Sequence, residues 1–152
     1  IELDLPATPV VTGPDIPGLA EALGLAVLAF GSTPHDLIAL DGGEDTVRNL
    51  VPDMSLLAAL PARGIMVTAA AAAGPHDFVT RFFAPGSGIP EDPVTGSAFC
   101  ALGPYWRDVT GRDRLTGYQA SARGGTVWVQ VAGDRVRLQG TAVTVTRGEW
   151  VA

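Results

Sequence analysis

Two adjacent carboxylates, Glu91 and Asp92, stand just ahead of the small polar run Thr95-Gly96-Ser97. A carboxylate whose surroundings set its pKa can give or take a proton. Pro93 follows Asp92 directly and biases it towards extended geometry. Thr95-Gly96-Ser97 reads as a helix start, where the first amides have no intrahelical acceptor. Those amides and the helix dipole together make an anion site. The spacing therefore suits proton transfer on a small carboxylate-bearing molecule. The Gly96 and Ser97 amides would hold its carboxylate in register with Asp92. The same residues also suit a plain capped turn, in which Thr95 or Ser97 is only a cap and Glu91 and Asp92 are solvated.

The run G-S-G-I-P-E-D-P-V-T-G-S-A, with R-F-F-A-P upstream and C-A-L-G-P-Y-W downstream, resembles the signature of the PhzF-like family of phenazine-biosynthesis isomerases and epimerases. The likeness runs from Leu3–Ala7 to the A-V-T-V near the end. It implies an α+β fold: one half of a diaminopimelate-epimerase-like architecture, a mostly antiparallel sheet around a central helix. Under the resemblance, Asp92 takes the place of an acid/base or substrate-positioning Asp. Gly96 and Ser97 take the place of the substrate-carboxylate contacts. Glu91 and Arg123 are further candidates, Arg123 as an anion contact beside Gly124-Gly125. The family's usual His after G-S-A is Phe99 here, and its usual Arg-Pro-Ser ending is absent. Its principal acid/base Glu belongs to an amino-terminal half for which this sequence has no matching motif. The expectation is a single domain over 1–152, the carboxy-terminal half of a two-domain enzyme, with little activity by itself. Its partner would be that other half or a second copy in a homodimer.

The elements that must position these residues follow from periodicity. Asp77–Ala84 is β-rich, with Phe78, Thr80 and Phe82 on one face and Val79, Arg81 and Phe83 on the other. Arg81 on an apolar face needs a carboxylate, from the protein or from a substrate. After the Pro/Gly loop, Ala98, Leu102 and Trp106 recur at a spacing of four along an apolar helix. Pro104 removes the bond to the Cys100 carbonyl and predicts a kink. Cys100 reads as a small buried hydrophobe.

Upstream, Ile1–Leu5 alternates as a strand. Helices are expected over Ile16–Leu23, with Asp15 as cap, over Asp45–Leu50, and over Met54–Leu60 capped by Asp53. Leu56, Leu57 and Leu60 should face the core. Strands are expected at Ala26–Phe30, Asp36–Asp41 and Ile65–Ala69, and Pro61–Gly64 reads as a turn. Downstream, Asp108–Arg114 reads as a turn. Thr126–Val131, Arg135–Leu138 and Ala142–Thr146 read as antiparallel strands, with a hairpin at Gly133-Asp134.

Composition narrows the function classes. The chain has 152 residues, 47% hydrophobic and 17% charged, which suits one folded domain with a sizeable core. All ten basic residues are Arg, against sixteen acidic ones, giving a net charge of −6. That balance argues against nonspecific nucleic-acid or anionic-membrane binding. The single cysteine allows no internal disulfide and is compatible with a cytoplasmic protein. His35 and His76 lack the spacing of a metal site, and no cofactor motif is present. Two readings remain: a cofactor-independent isomerase or epimerase, or a catalytically inactive small-anion-binding or self-dimerising module.

Overall fold

Ten strands and four helices are found in a computed structural model that describes residues 1–40 and 42–150. Their order is β1 (Glu2–Pro6), β2 (Val11–Gly13), α1 (Leu19–Leu23), β3 (Ala29–Ser32), β4 (Asp36–Leu40), α2 (Glu44–Asn49), α3 (Met54–Ala58), β5 (Gly64–Ala70) and β6 (Phe78–Ala84). Then come β7 (Ile89–Glu91), α4 (Gly96–Thr110), β8 (Arg114–Gln119), β9 (Gly125–Ala132) and β10 (Arg135–Gln139). One sheet runs β1-β10-β9-β8-β6-β5-β4-β3-β2, and β7 pairs with β6 beside this path. The pairings β4 with β5 and β6 with β8 are parallel, so the sheet is mixed. The Asp41 end of the expected Asp36–Asp41 strand lies outside the described residues.

Alternation along β6 separates two cores. Phe78 and Phe82 join the cluster built on α4, with Met66, Leu115, Val127, Val129, Val136 and Leu138. Val79 and Phe83 join the other cluster, with Leu19, Leu23, Val47 and Leu57 from α1, α2 and α3. The Leu56 expectation fails, since Leu56 is exposed while Leu57 is buried. The Asp53 cap is present, its carboxylate accepting from the amides of Ser55 and Leu56 at 2.8 and 3.0 Å.

The helix α4 is buried on every side from Ala98 to Pro104. Such a helix must find outside donors for any carbonyl it frees. Pro104 frees the carbonyl of Cys100, and the amide of Thr8 donates to it at 3.0 Å. The leading segment of the chain thus repairs the break. Gly103 lets β9 approach closely, because a Cβ there would lie 2.8 Å from a Val129 methyl. Phe99 is fully buried against Phe78, with ring centroids 5.9 Å apart, and Gly117 leaves room for both rings.

Several boundaries move. The helix at Ile16 starts only at Leu19, because Gly18 turns left-handed at φ 82°. The expected turn Asp108–Arg114 is shorter, since α4 runs to Thr110 and β8 starts at Arg114. The expected strand Ala142–Thr146 does not form. The free edge of β10 is taken by β1 in antiparallel register, and Val143 and Val145 stay exposed.

Buried polar groups in the α4 core are paired. Trp106 Nε1 donates to Thr68 Oγ1 at 3.1 Å, and that hydroxyl donates to the carbonyl of Val79 at 2.7 Å. Thr68→Val keeps the shape of the side chain and removes the acceptor. We expect a loss of about 1–3 kcal/mol in unfolding free energy, because the indole N–H is left unpaired. Equal denaturation midpoints for Thr68→Val and wild type would contradict this.

Candidate active site

One edge of β6 is shared between two strands. Its first half pairs with β8 and its second with β7. At the join, the amide of Ala120 donates to the carbonyl of Thr80, and the amide of Asp92 to the carbonyl of Phe82. These two bonds place Gln119 of β8 beside the turn that leads into α4.

Gln119 is fully buried and uses both ends of its amide. Its Oε1 accepts from the amide of Thr95 at 2.8 Å. Its Nε2 donates to the carbonyl of Asp92 at 2.6 Å and to Thr95 Oγ1 at 3.1 Å. Ser121 Oγ adds a bond to the carbonyl of Pro93 at 2.7 Å. The Asp92–Thr95 turn is therefore fixed from the β8 side, not by its own capping.

That arrangement decides the state of the helix mouth. Thr95 sits at the N-cap position, but its side chain caps no amide. Its hydroxyl donates instead to Asp92 Oδ2. The amides of Gly96 and Ser97 meet no acceptor among the described residues. Open amides at the N-terminus of a fifteen-residue helix attract anions.

Asp92, Thr95 and Ser97 line one pocket of about 220 Å³, with Arg63, Phe82, Ala84, Ser87 and Ile89. Larger clefts of about 530 and 660 Å³ lie elsewhere and contain neither Asp92 nor Ser97. The smaller pocket is the candidate because a carboxylate, a guanidinium and Ser97 of the uncapped helix start meet there, with Gly96 next in the chain but outside the lining.

Glu91 goes elsewhere. Successive strand residues face opposite ways, so Glu91 turns to the side of Arg81. Arg81 Nε and Nη2 donate to its two oxygens at 2.7 and 2.9 Å, and Nη1 donates to the carbonyl of Leu50 at 2.6 Å. The carboxylate that Arg81 needs thus comes from the protein. Glu91 does not line the pocket. Arg123 is exposed, forms no ion pair among the described residues and is also outside the pocket lining. The glycines beside it serve packing, since a Cβ at Gly125 would strike Val94 and one at Gly124 the Tyr118 ring.

Phe99, which replaces the His of the family pattern, is packed in the α4 core and adds no group to the pocket. Cys100 is buried as expected, and burial pushes its thiol pKa up. His76 bonds Thr126 Oγ1 at 3.1 Å, and its ring lies tilted against that of Tyr118 with centroids 5.0 Å apart, so it is half-buried. Among the described residues, no cluster of three His, Cys, Asp or Glu could hold a metal ion. No helix there is long and apolar enough to cross a membrane.

The sequence reading missed Arg63. It falls in what looks like a plain turn, yet its guanidinium bonds Asp36 through Nε at 2.9 Å and Nη2 at 2.5 Å. Those bonds raise the Arg63 pKa further above the ordinary guanidinium value. The parallel pairing of β4 and β5 sets Asp36 opposite Gly64 and so brings the two together. A Cβ at Gly64 would collide with the Phe82 ring, which packs directly over that backbone.

Gln119→Leu should orphan the Thr95 amide and the Asp92 carbonyl. We expect a stability loss of about 1–3 kcal/mol and faster hydrogen exchange at Thr95. Unchanged exchange at Thr95 would show that the turn holds itself.

The sequence profile described as phenazine biosynthesis-like protein, PhzC-PhzF, matches residues 16–148. An uncharacterised isomerase of Pseudomonas aeruginosa is 47% identical over 148 residues, which are 96% of this chain and 55% of that protein. Another uncharacterised isomerase, from Halalkalibacterium halodurans, is 41% identical over 150 residues, 98% of this chain and 57% of that protein. The crystal structure of a PhzF-family phenazine biosynthesis protein from Enterococcus faecalis superposes with a TM-score of 0.89 at 37% identity. The match covers 99% of this chain and 57% of that one. The chain thus spans a little over half the length of these relatives. With the profile covering most of its residues and the signature loop at the helix mouth, the chain belongs to the phenazine biosynthesis-like (PhzC-PhzF) family.

Proposed function

We propose that this chain forms the carboxylate-binding lobe of an isomerase or epimerase that moves a proton on a small carboxylate-bearing metabolite. The observation that carries the reading is that Asp92 and Ser97 line one pocket at a helix start whose Gly96 and Ser97 amides are uncapped. The relatives named isomerases support the reaction class.

In this reading the substrate carboxylate accepts from the two amides and from the Ser97 hydroxyl. A C–H bond then breaks, and its electron pair enters the conjugated system next to the carboxylate. The proton returns at another carbon or on the other face. Nothing is oxidised or reduced, so the step calls for no redox cofactor. Asp92 exchanges that proton or holds the substrate in register for it. The Thr95 hydroxyl donates to Asp92 Oδ2 and fixes its orientation.

Among the described residues, Asp92 is the only carboxylate in the pocket lining. Taking a proton at one position and returning it at another is easier with two acids. We infer that the second comes from a facing lobe of a diaminopimelate-epimerase-like pair, or from a second copy of this chain. The same single acid also favours a second reading, a small-anion-binding module without turnover.

Solvent-deuterium incorporation into a dihydro-hydroxyanthranilate-type acid by the full-length gene product separates the two. Asp92→Asn keeps the acceptor for Thr95 and should cut incorporation by about 10²–10⁴-fold. Ser97→Ala should raise KM about tenfold through loss of one hydrogen bond to the carboxylate. Incorporation unchanged in both variants would remove the site assignment. Binding without incorporation in the wild type would leave the anion-binding module.

A further inference from the structure

Arg63 raises a question of donor accounting. A guanidinium has five N–H groups and no acceptor. Nε–H goes to Asp36 Oδ1, and Nη2 serves both Asp36 Oδ2 and Ser97 Oγ, the latter at 3.0 Å. Nη1 has no acceptor among the described residues, although Arg63 lines the pocket.

Ser97 raises the complementary question. Its oxygen accepts from Arg63, and its own hydrogen has no acceptor among the described residues. A hydroxyl rotor left alone can point its hydrogen anywhere. Here one lone pair is occupied, which turns the O–H away from Arg63. Asp36 is 4% exposed and Arg63 46%, so the ion pair has a buried, anchored end and an open end. The formal charge of Arg63 is already matched by Asp36. What it offers the pocket is oriented donors rather than a spare positive charge.

We propose that Arg63, anchored by Asp36, is a positioning residue of the carboxylate site. It sets the Ser97 hydroxyl as a donor and presents Nη1 to the same bound anion. This rests on the carboxylate-binding reading of the helix mouth. The chain Asp36–Arg63–Ser97 joins β4, the turn that leads into β5 and the first turn of α4, so all three must be in place before the site is complete. Ser87 Oγ secures the same turn by donating to the Arg63 carbonyl at 3.0 Å.

Benzoate, a small monocarboxylate, is the probe, and amide chemical shifts of the full chain are the readout. In the wild type, benzoate at up to about 10 mM should shift the Gly96 and Ser97 amides, the weak binding expected of a small ligand. If it does not, the carboxylate-binding reading fails and takes this proposal with it.

Arg63→Met strands a buried carboxylate and risks the fold, so the main test is the paired Asp36→Asn/Arg63→Gln variant, which keeps an amide pair without charge. It should weaken benzoate about tenfold or more in the Ser97-containing protein, and by a smaller factor when Ser97→Ala is also present. Arg63→Lys keeps the charge without the fork and should bind as poorly as the paired variant. Wild-type benzoate affinity in the folded paired variant would overturn the role of Arg63 and leave the helix-mouth reading standing. An equal loss with and without Ser97 would likewise overturn the coupling.

Discussion

The buried amide of Gln119 is the constraint on which the site depends. A helix that starts at the surface ordinarily satisfies its first amides with a side-chain cap, and Thr95 is the right residue type for that task. Here Gln119 takes the Thr95 amide and the Asp92 carbonyl, and the Thr95 hydroxyl is directed to Asp92. The turn is thus rigid while the amides of Gly96 and Ser97 stay open. A cap would have filled the place that a ligand carboxylate can use.

The rest of the fold makes this possible. The strand β6 lends one edge to two partners, and their meeting point brings Gln119 to Asp92. Burial of α4 on all sides fixes the axis along which the open amides point. The break at Pro104 lies more than a turn inside the helix and is repaired by Thr8, so it does not reach the mouth. Two adjacent acids with similar chemistry are given different tasks by strand alternation alone. Glu91 locks Arg81 on the side of α1, α2 and α3, and Asp92 faces the pocket.

Local signals made part of this legible in the sequence. The start of α4 followed from Thr95-Gly96-Ser97 after Pro93, the two faces of β6 from alternation, and the α3 cap from Asp53. What was not legible depends on pairing across long sequence separations. Arg63 and Asp36 meet only because β4 and β5 run parallel, and Arg63 meets Ser97 across 34 positions. Nothing local ranks Gln119 above its exposed neighbour Arg123. Its importance appears only once β8 lies against β6. The expected strand Ala142–Thr146 has a sound alternating pattern. It lost to β1, which occupies the edge of β10 that it would have used. Pattern establishes that a segment can pair, and topology decides whether an edge is left for it.

The central claim is that the mouth of α4 holds a carboxylate on bare backbone donors beside Asp92. A high-resolution crystal structure of the protein grown with a small carboxylic acid tests it most directly. The account predicts carboxylate oxygens within about 3 Å of the Gly96 and Ser97 nitrogens, with the ligand body next to Asp92. It is contradicted if those nitrogens bond to protein atoms and the ligand lies elsewhere.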